Sequence, residues 1–372
     1  MTIHVPAGLL ASTKKVGAST QSAFLAELRE RFTEYRLVFG LTAVYGLAAM
    51  AVALSIAGEQ RFAPLSYAPT WLRGGLSFGF LYLMLMILPP LLRERPDRPL
   101  LALGLRLKEY LTPAFVVGVS LIAVQVLVMG TFTSVKNMLP QLAPYSWDAY
   151  FANLDATLHF GADPWRYLEP LIANSWSLHA VESFYFTAWM LALGIVPAII
   201  AFSPRFVPIR LRFFLTYILC WIVIGNVLAG IFMSAGPVYF GDVAGDVARF
   251  KPLSDHLVTH SGTFLSAFDI QRSLWFVHER GMSELGSGIS AFPSMHIAMA
   301  TLWVIVGFHA GRRFGVAALI FLAAIETAAV ALGWHYAVDG YASIVLAFMI
   351  WTAVGWALRV FRPARDTAAS SI

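Results

Sequence analysis

Cysteine and charge are what this chain has least of. A single cysteine, Cys220, stands among 372 residues and lies inside an apolar run. No intrachain disulfide can form, and a cysteine-based metal or redox centre has no ligand set to draw on. Only 13% of the residues are charged against 58% hydrophobic, which is too apolar for an ordinary soluble domain of this length. No cleavable signal peptide is visible, because the first apolar core comes late and lacks a small-residue cleavage site. No internal repeat is evident, so a transporter built from duplicated halves lacks its usual mark. The net charge of +5 arises from short basic clusters between apolar runs, the pattern of loop charges that set membrane orientation, and nucleic acid is not implied.

What is present is hydrophobicity in membrane-length pieces. A window of about twenty residues, the length needed to cross a bilayer, finds eight spans near 37–57, 74–92, 111–133, 180–202, 213–233, 293–310, 314–333 and 337–358. The expected fold is all-α: a polytopic integral membrane protein of about eight transmembrane helices. It divides into a cytoplasmic segment 1–36, two extra N-terminal spans in 37–110, a six-helix domain in 111–360 and a cytoplasmic tail 361–372. With the N-terminus inside, 18 Lys and Arg residues fall on the cytoplasmic side and 8 outside, which favours both termini inside. Trp and Tyr often mark the ends of the runs, as at Tyr35, Trp71, Trp147, Trp334 and Tyr341, where amphipathic rings prefer the headgroup layer.

Two external segments exceed simple turns. In 134–179, Trp147 to Phe160 repeats apolar residues at three- and four-residue spacing, which predicts an interfacial helix ended by Gly161 and the Asp163-Pro164-Trp165 turn. In 234–292, a stretch opening Ser234-Ala235-Gly236-Pro237-Val238-Tyr239 and ending Gly286-Ser287-Gly288 reads as a lid or substrate-binding loop.

Two histidine motifs dominate the C-terminal third: Phe292-Pro293-Ser294-Met295-His296 and, thirty-nine residues after that histidine, His335-Tyr336-Ala337-Val338-Asp339. The topology carries both to the external face. On a helix, Asp339 would share a face with His335, and a carboxylate fixes an imidazole's tautomer and raises its basicity. Pro293 suits the first helical turn, with Ser290 or a neighbour as cap, so Ser294 and His296 would sit where free backbone N–H groups favour a phosphate. Such a set suits phosphoryl transfer through a phosphohistidine.

These motifs resemble the second and third signatures of the type 2 phosphatidic acid phosphatase superfamily, and most closely its inositol phosphorylceramide synthase-like branch. The resemblance extends to Leu154-Asp155, Leu158-His159, Gly161, Asp163-Pro164-Trp165 and Ala235-Gly236-Pro237. It implies His335 as nucleophile, Asp339 as its orienting partner and His296 as the acid that protonates the leaving oxygen, with no metal or cofactor required. It also implies a bacterial inner membrane with the site on its external face. The phosphatase branch adds a Lys, six residues, then Arg-Pro, and an arginine six residues before the nucleophilic histidine. The latter position is Ala329 here, and no Arg-Pro follows a Lys at that spacing in the outer loops.

Cations to replace that clamp are sought at Arg249, Lys251, Arg272 and Arg280, and polar contacts at Ser290, Ser294 and Tyr239. Asp255, His256, His260 and His278 form a weaker zinc-type set. Glu326, nine residues before His335, falls about half a turn out of phase with it on a continuous helix, and Glu182 and Asn226 are lesser intramembrane candidates. The expected activity is transfer of a phosphoryl-linked headgroup from a membrane phospholipid donor to a lipid or polyol alcohol. The alternatives are a lipid phosphate or isoprenoid diphosphate phosphatase and, further off, a transporter or flippase.

Overall fold

The computed structural model describes residues 7–361 apart from 283 and 285, with the side chains of 7–20, 78, 79, 81–83 and 86 outside the description. Residues 1–6 of the expected N-terminal segment and 362–372 of the tail lie outside the described residues. All regular structure among the described residues is helical. The helices are α1 (Ala7–Glu34), α2 (Arg36–Ser55), α3 (Ala68–Tyr82), α4 (Leu88–Glu94), α5 (Pro99–Tyr110), α6 (Pro113–Leu142) and α7 (Asp148–Leu158). They continue with α8 (Ser175–Phe202), α9 (Pro204–Ile231), α10 (Val247–Val258), α11 (Ala267–Glu279), α12 (Met295–Ala310), α13 (Arg312–Ala331) and α14 (Ala337–Phe361).

Six of these, α2, α6, α8, α9, α13 and α14, are long and apolar enough to cross a bilayer, so the chain is an integral membrane protein. Helix α12 is apolar but has 16 residues. The expected second span is divided: α3 passes into α4 through a wider turn at Leu83–Ile87, and the stretch is not among the six.

Local chemistry sets several helix ends. Thr112 caps α6, its hydroxyl accepting from the Phe115 N–H, with Pro113 in the first turn. Asn174 and Ser177 form a capping box at the start of α8. Helix α6 runs nine residues past the expected end at 133, because Pro140 falls in its last turn, where losing one i→i−4 bond is tolerated. The external segment expected at 134 therefore begins after Leu142.

Helices α6 and α9 form the centre of the bundle, each with 61% of its apolar window buried, against 22% for α2 and α14. Lipid tails are as apolar as leucine, so interhelical cohesion rests on close packing and polar tethers. Helices α12 and α13 approach closely at Gly307, where a Cβ would lie 3.0 Å from the Phe314 carbonyl oxygen. Gln125 on α6 donates to the Leu193 carbonyl on α8 at 2.8 Å. The Tyr45 hydroxyl on α2 donates to Asn226 on α9, and the Glu182 carboxylate accepts the Ala267 N–H at 2.7 Å. Asn226 and Glu182 are thus engaged as tethers. Arg212 on α9 donates twice to the Trp351 carbonyl and stacks on that ring, fixing α9 to α14.

Candidate active site

The second histidine motif lies across a turn rather than along a helix. Helix α13 ends at Ala331, and Gly333 holds a φ of +71° with no room for a Cβ, which would meet Val238 Cγ1 at 2.6 Å. His335 therefore precedes α14, and the expected shared helix face is replaced by a capping geometry: Asp339 Oδ2 accepts from His335 Nδ1 at 3.1 Å and from the Tyr336 N–H at 3.0 Å. An Nδ1–H held by a carboxylate leaves Nε2 with its lone pair. Asp339 is fully buried, and its Oδ1 has no hydrogen-bond partner.

His296 sits in the first turn of α12, whose cap is Ser294 rather than Ser290, with Pro293 outside the helix. The Ser294 N–H donates to the Asp339 carbonyl at 3.3 Å, a direct bond between the two motifs, while its buried hydroxyl has no partner. The His296 ring stacks on Tyr185 with centroids 4.8 Å apart and lies 4.4 Å from the Trp189 ring. The two histidine rings face each other at 6.0 Å between centroids.

Two buried aspartates of α7 support this layer; the sequence places both in an amphipathic helix and Asp155 also in the run that carries the family resemblance. Asp155 accepts from the Ala337 and Val338 N–H groups at 2.8 and 2.9 Å, satisfying the first turn of α14 from another helix. Asp148 accepts from the Ala235 and Gly236 N–H groups and from the Tyr336 hydroxyl. Burial pushes both carboxyls above the usual carboxylate range, against the pull of those hydrogen bonds. The Ser234–Tyr239 stretch is thereby clamped between the motifs: Ser234 binds the backbone of Ala291 and Phe292, and Val238 donates to the Gly333 carbonyl.

The proposed phosphate cations separate from the histidines. A cavity of about 1840 Å³ is lined by His296, His335, Ser290, Tyr239 and Lys136, whereas Arg249, Lys251, Arg272 and Arg280 are not in its wall. Arg249 commits its guanidinium to Asp163, Asn153 and the Ala152 carbonyl. Lys251 pairs with Asp255 at 2.6 Å. Arg272 is exposed, and exposed Arg280 lies over the Phe276 ring at 4.2 Å. Tyr239 donates its hydroxyl to the Gln271 carbonyl, so the ring alone is left to face the cavity. Of the zinc-type set, His256 bonds through Nε2 to the Ile172 carbonyl and His260 through Nδ1 to Thr259, with its Nε2 unpartnered, while the His278 ring packs on Tyr145 and Trp275.

Lys136 is the residue that sequence reading passed over. It lines the same cavity as both histidines and forms no salt bridge among the described residues. A signal was available: Lys136, six residues, Ala143 and Pro144 keep the Lys and Pro of the phosphatase-branch signature, with alanine for arginine. Gly288 packs on its stem, where a Cβ would lie 2.9 Å from Lys136 Cγ, and Ser287 bonds to Asn137. The Gly286-Ser287-Gly288 end of the segment expected as a lid or substrate-binding loop is thus seated on α6.

Glu326 corrects the phase argument. Because α13 stops at Ala331, the helix is not continuous to His335, and the Glu326 carboxylate lies against Gly340, where a Cβ would overlap it. It is a close electrostatic neighbour of Asp339, with neither oxygen partnered.

No match was found among curated proteins or among solved structures. The family model of the PAP2 superfamily matches residues 149–353, from the first turn of α7 to near the end of α14, and so takes in both histidine motifs and the aspartate that caps α14. With more than half of its length so matched, the chain belongs to the PAP2 superfamily, the type 2 phosphatidic acid phosphatases and their relatives.

Proposed function

We propose that the protein is a membrane lipid phosphotransferase that moves a phosphoryl-linked headgroup from a phospholipid donor to a lipid or polyol alcohol. The observation that carries this reading is an imidazole fixed by a buried carboxylate, facing a second imidazole across 6.0 Å, beside one ammonium group. His335 Nε2 attacks phosphorus while His296 protonates the departing alkoxide, so the N–P bond forms as the P–O bond breaks. His296 then takes the proton of the acceptor alcohol, whose oxygen displaces His335. Lys136 balances charge on the non-bridging oxygens. A diester donor carries one negative charge, matched by one lysine. A monoester carries up to two, and the missing arginine at 143 weakens the hold on it.

The motifs' likeness to inositol phosphorylceramide synthases supports a diester donor. The retained Lys136 and Pro144 of the phosphatase signature favour the second reading, hydrolysis of a lipid phosphate. Purified protein given a phosphodiester lipid and an alcohol is expected to make a new diester. Rapid phosphate release from phosphatidic acid, with no acceptor-dependent product, would leave the phosphatase reading standing.

The proposed topology has eight spans, the six long helices joined by α12 and the Ala68–Glu94 stretch, with both termini in the cytoplasm and the histidines on the external face of a bacterial inner membrane. Reporter fusions after Arg93, Arg205 and Arg312 are expected to behave as cytoplasmic, and those near Asp163 and Ser254 as external. A cytoplasmic signal at Ser254 overturns this arrangement.

A further inference from the structure

The connection from α2 to α3 crosses the C-terminal half of α6 in close contact with it. A Cβ on Gly130 would overlap the Pro64 carbonyl, so the helix admits this segment only because glycine stands there. The Ala63 N–H donates to Ser134 Oγ at 2.9 Å, and Arg61 Nη1 donates to the Asn137 carbonyl at 3.2 Å. Gly130, Ser134 and Asn137 share one face of α6 by their spacing. Lys136 stands at its edge.

The same segment also grips a second part of the chain. Arg61 Nη2 donates to the Gly281 carbonyl at 3.0 Å, and the Tyr67 hydroxyl accepts the Gly286 N–H at 2.9 Å while lying 3.0 Å from Thr133 Oγ1. Directly after Gly286, Ser287 donates to Asn137 Oδ1 at 2.9 Å and Gly288 seats on the Lys136 stem. The chain then runs to His296 through Ala291 and Phe292, whose N–H groups are bound by Ser234. Residues 281–296 belong to the part matched to the superfamily, 149–353, and Arg61 and Tyr67 do not. These two residues therefore tie the N-terminal part of the chain to the matched core at the point where Lys136 meets it.

Building on the phosphotransferase reading, we propose that Arg61 and Tyr67 are positioning residues, which clasp residues 281–288 to α6 and so hold the Lys136 ammonium in a fixed place relative to the two histidines. A lysine stem is flexible, and Gly288 restrains this one only while the clasp is shut. Misplacing a group at a reacting centre by about 1 Å costs on the order of a hundredfold in rate. Residues that touch no substrate can thus set the rate through one that does.

A double-mutant cycle separates positioning from stability. Tyr67→Phe deletes one hydroxyl and keeps the ring, and is expected to slow headgroup transfer from a phosphodiester lipid about tenfold. In a Lys136→Ala background it should slow the residual transfer by less than about twofold, since nothing is left to place. Arg61→Gln should behave as Tyr67→Phe does, and Arg61→Lys, able to reach one carbonyl, should recover part of the rate. Tyr45→Phe, which removes a hydroxyl outside the clasp, should match the parent. A second readout needs no turnover: acylation of Lys136 by acetic anhydride, followed by peptide mass spectrometry with Lys251 as internal reference. Opening the clasp by one hydrogen bond should raise Lys136 acylation about fivefold and leave Lys251 unchanged. No slowing by Tyr67→Phe, equal slowing in both backgrounds, or unchanged Lys136 acylation in both Tyr67→Phe and Arg61→Gln overturns the proposal. A parent protein that transfers no headgroup sinks the phosphotransferase reading instead, and acylation alone then decides the clasp.

Discussion

The two ends of the cavity are held by different means. At the histidine end the His296 ring is held by Tyr185 and Trp189, and the rest of the layer by hydrogen bonds: Asp339 to His335, Asp155 to the start of α14, Asp148 to Tyr336 and the Ala235-Gly236 backbone, Ser294 to Asp339. Along α3 the wall is apolar, and its side chains at Leu72, Leu76 and Phe80 are more than 60% exposed. Directional bonds fix reacting atoms to fractions of an ångström, whereas apolar walls tolerate changes of shape at small cost. The difference teaches where this chain is free to vary: the histidine layer is held by directional bonds from α7, α12 and α14, and the wall along α3 by apolar packing alone.

The sharpest way to test that division is at His335. His335→Ala should abolish turnover, and Asp339→Asn should lower it by about four orders of magnitude, as with other carboxylate-oriented histidines. Near-parental rates in either variant would remove these residues from the chemistry. Next in size, Lys136→Ala should slow transfer by roughly 10²–10³, the range for losing one charge-stabilising donor. Single-turnover kinetics showing an unchanged rate would return the phosphate contact to the loops. Asp155→Ala leaves two buried N–H groups unpaired and should lower stability by about 1–3 kcal/mol, with turnover falling alongside the melting temperature. Smallest is Tyr45→Phe in the N-terminal region, which removes one interhelical bond worth about 0.6 kcal/mol and should leave turnover unchanged. A loss of activity there would erase the contrast between the two regions. Turnover should also survive a strong chelator, and activity restored by zinc would move the chemistry to His256 and His260.

Much of this was legible in the sequence, because hydropathy and motif spacing are local properties. The six long helices overlap six of the eight expected spans, with ends up to nine residues away, and the histidine motifs lie together at neighbouring helix ends. What escaped depended on tertiary detail. Lys136 was assigned to a loop because the apolar run weakens at 133, yet the helix continues and carries it into the cavity wall. Glu326 was placed out of phase by assuming that α13 reached His335. Arg249 looks available in the sequence because its partner, Asp163, is recognisable only once the chain has folded, whereas Lys251 and Asp255 stand at the i,i+4 spacing of a helix pair that the sequence already permits. Asp148 and Asp155 read as the polar face of an interfacial helix, and nothing local showed that this face would be buried against the second histidine motif.

The bond from the Ser294 amide to the Asp339 carbonyl joins the two histidine motifs into one piece. Opening the site by drawing α12 away from α14 would break that bond along with those from Ala291 and Phe292 to Ser234, a concerted local unfolding with a large free-energy gap. A displacement of α3 would leave this network unbroken. Amide hydrogen exchange should register the division as slow exchange at Ser294, Ala337 and Val338 and faster exchange along α3, a kinetic boundary that follows the wall of the cavity.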